Sequence, residues 1–570
     1  MDMQMITRSA RSPEFRERLA ALLMDICAVD TTPVANVEAL AAAEARVFAR
    51  IERELGLAGL AGARTLRKPI DPAIAGHPYY SKPYYTSDGA GGAPLDVAGA
   101  YAGRCNLLFQ ADGERPDLPG LALNAHIDVV RPYIPPRREG ATVCGRGSCD
   151  DKGPLVAIVG ALSLVSDWLQ DGGGSLGRNL TAMFVIDEEM GGNGSLSLAL
   201  DDDVNRRYDT LLVLECTSGV IHPANRGAVW YKVEGRLPGA NLFEASAYIY
   251  AEVEREGRAI KAESRHPLFA HRPVQTCHGI LGGFGEHPSR INGRVAFDVV
   301  VDPAVPDRLE KARDLVADVL ESGLAEYIGV YGDKTKVTDP QTGRPKVATH
   351  YDLERTSTGY SVVVHGSTGH MGSILLNDGA ITKMASMARA AMASRAALER
   401  RCGGTVSLAL QDWNDQARLV MEGGQGFLPT HELPEVQRRL ADAVMRGAGS
   451  YLRMAGRAER PEAFLSVTYD KLHNAAFAGD PDAEAALDAV EAAQQASIWD
   501  GAPLRGWDVS CDSRIFAHER PDATVLTGGP GHLVHAHSDG EQMDLDELAR
   551  FAEFLAYFII KRSQAEPAAG

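Results

Sequence analysis

The sequence has few cysteines, no long apolar run and fewer basic than acidic residues, and each shortage excludes a class of protein. Its eight cysteines are scattered over 570 residues without paired spacing, which argues against a disulfide framework and favours a reducing compartment. The longest apolar stretches, such as 155–165, fall short of the roughly 20 residues that a membrane span needs. Residues 1–13 contain no apolar segment of signal-peptide length. We therefore expect a cytoplasmic protein with no membrane partner.

The balance of charge excludes a second class of function. The chain has 76 acidic and 58 basic side chains, and its formal net charge is −18. Binding to nucleic acid needs concentrated lysine and arginine, so we expect no nucleic-acid partner. The hydrophobic share of 45% and the charged share of 24% are ordinary for globular proteins, and the length predicts two to four domains.

Both ends of the chain show an α/β pattern. Apolar spacing predicts two helices within 14–56, and short apolar runs at 106–109, 121–124, 182–186 and 211–214 are typical of buried parallel strands. The pattern returns from about 460 and ends in a helix at 545–560. We therefore predict an α/β domain with a mixed, mostly parallel sheet, split in sequence by a different middle.

The middle of the chain shows the same order of features twice. Segments 228–328 and 360–448 each begin with a strand that ends in glycine, followed by a helix, a strand near a double glycine and an amphipathic helix. This order indicates an internal duplication of an α+β module. Two unrelated α+β stretches are the alternative, because the order is a common one.

Five short segments carry side chains suited to a hard metal ion. Most of these side chains follow an apolar strand or lie on a glycine-rich loop, and the last segment has three histidines before a helix. In chain order they are His126 and Asp128, Asp150 and Asp151, Glu188 and Glu189, Glu215, and then His532, His535 and His537. Which of the three final histidines would bind a metal stays open.

The position of these side chains indicates a pair of metal ions. Open α/β sheets bind ligands at the carboxyl ends of their strands, where crowded carboxylates repel one another unless a cation neutralises them. Two divalent ions about 3.5–4 Å apart would do so, and such pairs hydrolyse amides and phosphates. Histidine and carboxylate ligands without cysteine fit zinc, cobalt or manganese better than an iron–sulfur cluster or a structural zinc site. Taken singly, each segment also fits an ordinary hydrogen bond, helix cap or solvated surface.

The order of the five segments resembles the di-zinc exopeptidase and deacylase family. That family includes aminoacylase, carnosinase, carboxypeptidase G, acetylornithine deacetylase and succinyl-diaminopimelate desuccinylase, and the layout is most similar to PepV-type dipeptidases. The resemblance covers roughly 14–218 and 460–570. It is carried by His126-x-Asp128-Val129-Val130, Gly145-Arg146-Gly147…Asp150-Asp151-Lys152-Gly153, Asp187-Glu188-Glu189…Gly192, Glu215 and Gly529-Pro530-Gly531…His537-Ser538…Glu541.

The resemblance implies a role for each metal ligand. His126 and Glu215 would hold one ion, and Glu189 and His537 would hold the other. Asp150 would bridge both ions. The implied cofactor is therefore two divalent metal ions.

The resemblance also implies three residues with roles in catalysis. Glu188 would be the general base, and Asp128 would orient the first histidine ligand. In the middle of the chain, the lid segment of the family resembles 362–380, so His370 would stabilise the tetrahedral oxyanion. The segment lacks the usual proline and has an altered asparagine arrangement, and an ordinary turn histidine is the alternative. His365 is a weaker rival, because we expect it to lie on a strand.

The resemblance predicts the domain organisation, the assembly and the activity. We expect a catalytic domain formed by 1–218 and 459–570, interrupted by a lid at 219–458 with possible modules at 228–328 and 360–448. A doubled lid would complete the site within one chain, so a monomer is predicted, with a homodimer as the alternative. The implied activity is dipeptidase or aminoacylase chemistry on a small-molecule or peptide substrate. The alternatives are a deacylase, desuccinylase or catabolic amidohydrolase for one metabolite, and a catalytically inactive metal-binding relative.

Overall fold

The computed structural model describes residues 3–60, 62–86, 95–172, 174–285, 287–338, 343–373, 377–413, 415–469 and 473–564. Two large apolar cores organise these residues. One core is built from residues between 6 and 221 together with residues between 477 and 560, and the other from residues between 224 and 465.

The first part of the chain contains helices and most strands of the central sheet. The two helices predicted within 14–56 are present, and each begins at a side-chain cap, Ser12 or Asn36. In chain order the elements are α1 (Gln4–Ala10), α2 (Pro13–Cys27), α3 (Val37–Ala58), β1 (Arg64–Pro69), α4 (Val97–Ala100), β2 (Cys105–Ala111), β3 (Gly120–His126), β4 (Arg137–Glu139), β5 (Thr142–Cys144), α5 (Lys152–Gly172), β6 (Leu180–Val185), α6 (Asn193–Ala199), α7 (Asp202–Asn205), β7 (Tyr208–Val213) and β8 (Ala224–Asn225).

The middle and last parts follow. The middle elements are β9 (Gly227–Gly235), α8 (Leu242–Glu263), β10 (Thr276–Leu281), β11 (Arg290–Ile291), β12 (Arg294–Asp302), α9 (Pro306–Tyr331), β13 (Tyr351–Arg355), β14 (Gly359–His365), β15 (Gly369–His370), α10 (Ala380–Ala393), α11 (Arg395–Cys402), β16 (Thr405–Leu410), β17 (Leu419–Phe427) and α12 (Leu433–Met454). The last elements are β18 (Leu465–Thr468), β19 (His473–Asn474), β20 (Phe477–Ala478), α13 (Glu484–Gln495), α14 (Ser513–Glu519), β21 (Thr524–Thr527), β22 (Gln542–Asp544) and α15 (Leu545–Gln564).

The central sheet has six strands in the order β1-β2-β6-β3-β7-β21. Strands β6, β3, β7 and β21 run parallel to one another, while β1 pairs antiparallel with β2 and β2 antiparallel with β6. The predicted mixed, mostly parallel sheet is confirmed. The prediction that 106–109 is a parallel strand is wrong. An unbroken apolar run indicates that both faces of a strand are buried, but it does not indicate the direction of the strand.

Helix α5 is the most apolar long helix among the described residues. By length and composition alone it could cross a membrane, but 89% of its apolar window is buried inside the fold. It packs against α15, α3 and α2 beside the central sheet. Its apolar character is therefore explained by its position in the core.

The middle of the chain forms two antiparallel sheets that exchange strands. Apart from short elements, the order strand, helix, two strands, helix occurs twice: β9-α8-β10-β12-α9 and β14-α10-β16-β17-α12. Strand β17 lies between β9 and β10, and β12 lies between β14 and β16. Helix α12 packs on α8, and α9 packs on α10. Each sheet thus takes one strand and one helix from the other half of the middle.

The two halves of the middle differ from each other in two details. In the second half the helix after β14 begins at Ala380 and ends at Ala393, and a separate helix, α11, follows Ser394. The double glycines are not equivalent, because Gly282-Gly283 follows β10 whereas Gly423-Gly424 lies inside β17. Part of the segment 362–380, residues 374–376, lies outside the described residues.

Candidate metal centre

Four parallel neighbouring strands deliver side chains to one edge of the central sheet. His126 is the last residue of β3, Glu189 follows β6, Glu215 follows β7 and His537 lies in the loop after β21. Because parallel strands end at a common edge, these side chains converge there. All four residues are buried, with at most 5% of their surface exposed.

Asp150 reaches the same place from the loop that precedes α5. The carboxylate of Glu541 fixes this loop, because its Oε1 accepts N–H groups from Gly147 at 2.8 Å and from Cys149 and Asp150 at 3.1 Å each. The buried guanidinium of Arg146 pairs with the other oxygen of Glu541. The position of Asp150 is therefore set by main-chain hydrogen bonds to a distant part of the sequence.

The five side chains form two groups that share Asp150. The distance from His126 Nε2 to Asp150 Oδ1 is 3.2 Å, and from His537 Nε2 to Asp150 Oδ2 it is 3.3 Å. His537 Nε2 also lies 2.9 Å from Glu189 Oε1. Ligand atoms of His126, Asp150 and Glu215 all lie within 4.8 Å of one another, and the same holds for Asp150, Glu189 and His537. The ligand atoms of each group are close enough together to bind one metal ion.

The electrostatics of the centre favour added positive charge. Burial, and then the charge of Asp150, raises the pKa of Glu215 well above its usual range. Burial also raises the pKa of Glu189. Burial lowers the pKa of His537, but the carboxylates of Glu189 and Asp150 outweigh this and bring it to about 10. Buried carboxylates that lack nearby positive charge hold protons more tightly, and divalent metal ions would supply that charge. The donor set therefore fits divalent metal ions.

Asp128 connects two of the segments that form the centre. Its carboxylate accepts the N–H of Glu188 at 3.1 Å and the N–H of Glu189 at 3.0 Å. Nδ1 of His126 lies 3.0 Å from the main-chain carbonyl of Asp128 and 3.4 Å from its carboxylate. The resemblance implied that the Asp128 carboxylate orients the ring of His126. The main-chain carbonyl of Asp128 lies nearer to Nδ1 and therefore also orients the ring.

Glu188 lies next to the metal-ligand groups and belongs to neither of them. It is 8% exposed. Burial, and then the charge of Asp512, raises its pKa well above the usual range for a carboxylic acid. A carboxyl group with a raised pKa beside a candidate metal centre suits proton transfer.

His370 reaches the centre from the middle of the chain. Strand β15 pairs with β11, and the ring of His370 lies 4.6 Å from the ring of His537, measured between centroids. Burial, and then the neighbouring His537, lowers the pKa of His370 well below its usual range. Nδ1 of His370 accepts the N–H of Gly372 at 2.9 Å, so the neutral ring carries its proton on Nε2. His365 pairs instead with Asp352 at 2.7 Å.

The two other histidines of the last segment lie outside the metal-ligand groups. His532 forms a hydrogen bond with Ser218 Oγ at 2.8 Å and lies 3.4 Å from Glu547. Its side chain is 55% exposed. Nε2 of His535 lies 3.5 Å from the amide nitrogen of Gln542. Of the three histidines, His537 is the one whose ligand atom lies near the carboxylates of Asp150 and Glu189.

Several contacts of the centre join residues that no local sequence pattern links. Ser289 Oγ lies 3.4 Å from His537 Nδ1, and Arg290 donates to Asp539 at 2.8 Å. Like His370, these residues of the middle of the chain therefore contact the loop that carries His537. Asp512 and Arg514 form a further charged pair beside the centre. Their nearest charged atoms are 3.8 Å apart, and Arg514 donates to Gly191 O at 3.2 Å, beside Glu188 and Glu189.

The sequence belongs to a known family of peptidases. The family model for peptidase family M20/M25/M40 matches residues 122–561, which is most of the chain. The chain therefore belongs to this family, and the resemblance seen in the sequence is confirmed.

Individual relatives are distant. A peptidase M20 domain-containing protein of Schizosaccharomyces pombe is 32% identical over 109 residues, which cover 19% of this chain and 25% of that protein. Matched segments cover between 24% and 55% of the curated relatives' own lengths. Human carnosine dipeptidase 1 superposes with a TM-score of 0.55 at 12% identity, covering 99% of this chain and 100% of that one. The dipeptidase Dug1p of Saccharomyces cerevisiae gives 0.55 at 13% identity, covering 99% of each. These structures share the fold.

Proposed function

We propose that this chain is a two-metal hydrolase of amide bonds that acts on a small peptide or an N-acyl amino acid. The observation that carries the proposal is the position of Asp150, whose two carboxylate oxygens face two separate buried groups of ligands. Membership of the peptidase family gives such a centre a peptide bond as its natural target. Two structures with the same fold are dipeptidases by name, which favours a small peptide.

The proposed ligands divide into two sets around Asp150. His126 and Glu215 would hold one ion, and Glu189 and His537 the other. Bound there, two divalent ions would polarise the scissile carbonyl and lower the pKa of a water molecule. We propose zinc, because histidine and carboxylate donors without cysteine suit it, and cobalt or manganese would fit the same donors.

Two side chains have direct roles in the proposed chemistry. Glu188 takes a proton from the attacking water and delivers it to the leaving amine. His370 donates a hydrogen bond from its Nε2–H group to the carbonyl oxygen as negative charge develops there. The hydrogen bond from Gly372 N to Nδ1 leaves the ring proton on Nε2 for this purpose. Asp128 holds the main chain of Glu188 and Glu189 in place through its two carboxylate oxygens.

We propose the domain division and the setting that the sequence suggested. Separate apolar cores support a catalytic domain of 1–218 with 459–570 and a lid of 219–458, with the lid core reaching Leu465 and the lid sheet including β18. The exchange of strands between the two halves supports a duplicated lid that completes one site within one chain, and hence a monomer. All eight cysteines are free, which suits a reducing, cytoplasmic setting.

The test is amine release from a panel of dipeptides and N-acyl amino acids with added zinc, cobalt or manganese. We expect metal-dependent hydrolysis, and we expect Glu188→Gln to lower kcat by about 100-fold or more while metal content is unchanged. Glu139→Gln, on the exposed strand β4, is the matched control and should behave as the wild type.

Each other outcome has a distinct meaning. Unchanged activity of Glu188→Gln would show that another group is the general base. A wild type that binds two metals and hydrolyses no member of the panel would favour the inactive metal-binding alternative. Activity confined to one acylated metabolite would favour the deacylase, desuccinylase or catabolic amidohydrolase alternative.

A further inference from the structure

The turn that carries Glu188 and Glu189 begins at a strained residue. Asp187 has a φ of +61°, in the left-handed region that residues other than glycine rarely occupy. The turn is closed by hydrogen bonds from Gly192 N to Asp187 O at 2.7 Å and from Gly191 N to Glu188 O at 2.9 Å. Something outside the turn must stabilise Asp187 in this conformation.

The side chain of Asp187 is held by a buried arginine. Arg104 Nη2 donates to Asp187 Oδ1 at 2.6 Å, and Nη1 donates to Oδ2 at 3.3 Å. The same guanidinium donates to Glu44 through Nη2 at 2.6 Å and through Nε at 3.0 Å. The side chain of Arg104 is 0% exposed, and those of Glu44 and Asp187 are each 2% exposed. Arg104 therefore joins helix α3 to the turn without contact with water.

Two tyrosines complete the network. Tyr101 donates to Asp187 Oδ2 at 2.7 Å, and the hydroxyl of Tyr85 also contacts this oxygen. Asn193, just beyond the turn, donates to the Tyr101 hydroxyl at 2.7 Å. Both oxygens of the Asp187 carboxylate are therefore occupied, and none of these partners belongs to the metal-ligand groups.

We infer that Arg104 is a positioning residue for the metal centre: it holds Asp187 in its strained conformation and thereby sets the directions of Glu188 and Glu189. The physical reason is geometric. A planar guanidinium can bind two carboxylates side by side, whereas the point charge of a lysine cannot reproduce both pairs of hydrogen bonds. Arg104 acts on Glu189 through Asp187 and the main chain. The inference rests on the proposed function for its effect on turnover, but its effect on metal binding does not.

The test is Arg104→Lys, measured by the affinity for zinc in competition with a chelator and by steady-state kinetics. The variant keeps the charge and loses the paired geometry. We expect one of the two zinc ions to bind about 10- to 100-fold more weakly, the size of effect typical of residues that orient metal ligands. We also expect kcat to fall while KM changes little. Arg67→Lys is the matched control, because Arg67 makes a similar two-bond pair with Glu52 on the surface.

A milder variant covers the case in which Arg104→Lys does not fold. Tyr101→Phe removes one hydrogen bond to Asp187 Oδ2 and no charge, and we expect a smaller loss of affinity for the same ion. Wild-type affinity for both ions in every folded variant would overturn the inference. A wild type that binds two ions without any hydrolysis would overturn the proposed function alone, since the zinc affinities would still test the role of Arg104.

Discussion

Glu44 is a carboxylic acid whose charge changes near neutral pH. Burial raises its pKa to about 7, against the opposing effect of Arg104. Above pH 4.5 the unfolded chain releases this proton and the folded chain keeps it, so stability falls as the pH rises from about 4.5 to 7. The amide in Glu44→Gln cannot titrate. Between pH 5 and pH 8 the free energy of unfolding of this variant should therefore fall by about 2–3 kcal/mol less than that of the wild type.

Unfolding of both proteins at pH 5 and pH 8 in the presence of a chelator measures this difference without a contribution from bound metal. An equal loss of stability in the two proteins would contradict a raised pKa for Glu44.

Single residues also show what the sequence could predict about the centre. His126, Asp150, Glu189, Glu215 and His537 stand at strand ends or on a glycine-rich loop, and the structure brings them together. Their roles stay predictions, as does that of Glu188. Arg104 and Ser289 stand in no such setting, because their partners, at 187 and 537, are distant in sequence. No local pattern records a contact of that kind.

At the scale of elements, the loop before α5 depends on one distant carboxylate. Glu541 accepts three main-chain N–H groups of this loop and neutralises the buried Arg146. Glu541→Gln leaves a buried guanidinium without its counter-charge, and we expect a loss of about 3–5 kcal/mol in the free energy of unfolding. We also expect weaker metal binding, because Asp150 lies on the loop.

Chemical unfolding and zinc content measure both effects. The control is Glu17→Gln, which removes a similar two-bond pair with Arg138 on the surface and should change neither quantity appreciably. If Glu541→Gln were as stable and as rich in zinc as the control, the loop would not depend on this carboxylate.

Elements were predicted well where local pattern decides them and poorly where pairing decides them. The spacing of apolar residues predicts α2 and α3 because a helix is stabilised by contacts within a few turns. The direction of β2 and the position of the double glycines depend on strand partners far away in sequence. Neither could be read from the residues themselves.

At the scale of the whole molecule, the exchange of strands predicts the assembly. Strand β17 completes the sheet of β9 and β10, and β12 completes that of β14 and β16, so the two halves of the middle already pair with each other. His370 reaches His537 within the same chain. We expect light scattering at micromolar concentration to give the mass of one chain, 61.1 kDa. A dimer that persists on dilution would contradict the monomer.

The sharing of Asp150 between two ligand groups is the central claim, and zinc content per chain tests it most directly. After dialysis against a weak chelator, the wild type should retain two zinc ions per chain. Because His126 and His537 belong to different groups, His126→Ala and His537→Ala should each retain one, and Asp150→Ala should lose both. A wild type with a single ion, or an Asp150→Ala variant that keeps two, would contradict the two-metal centre.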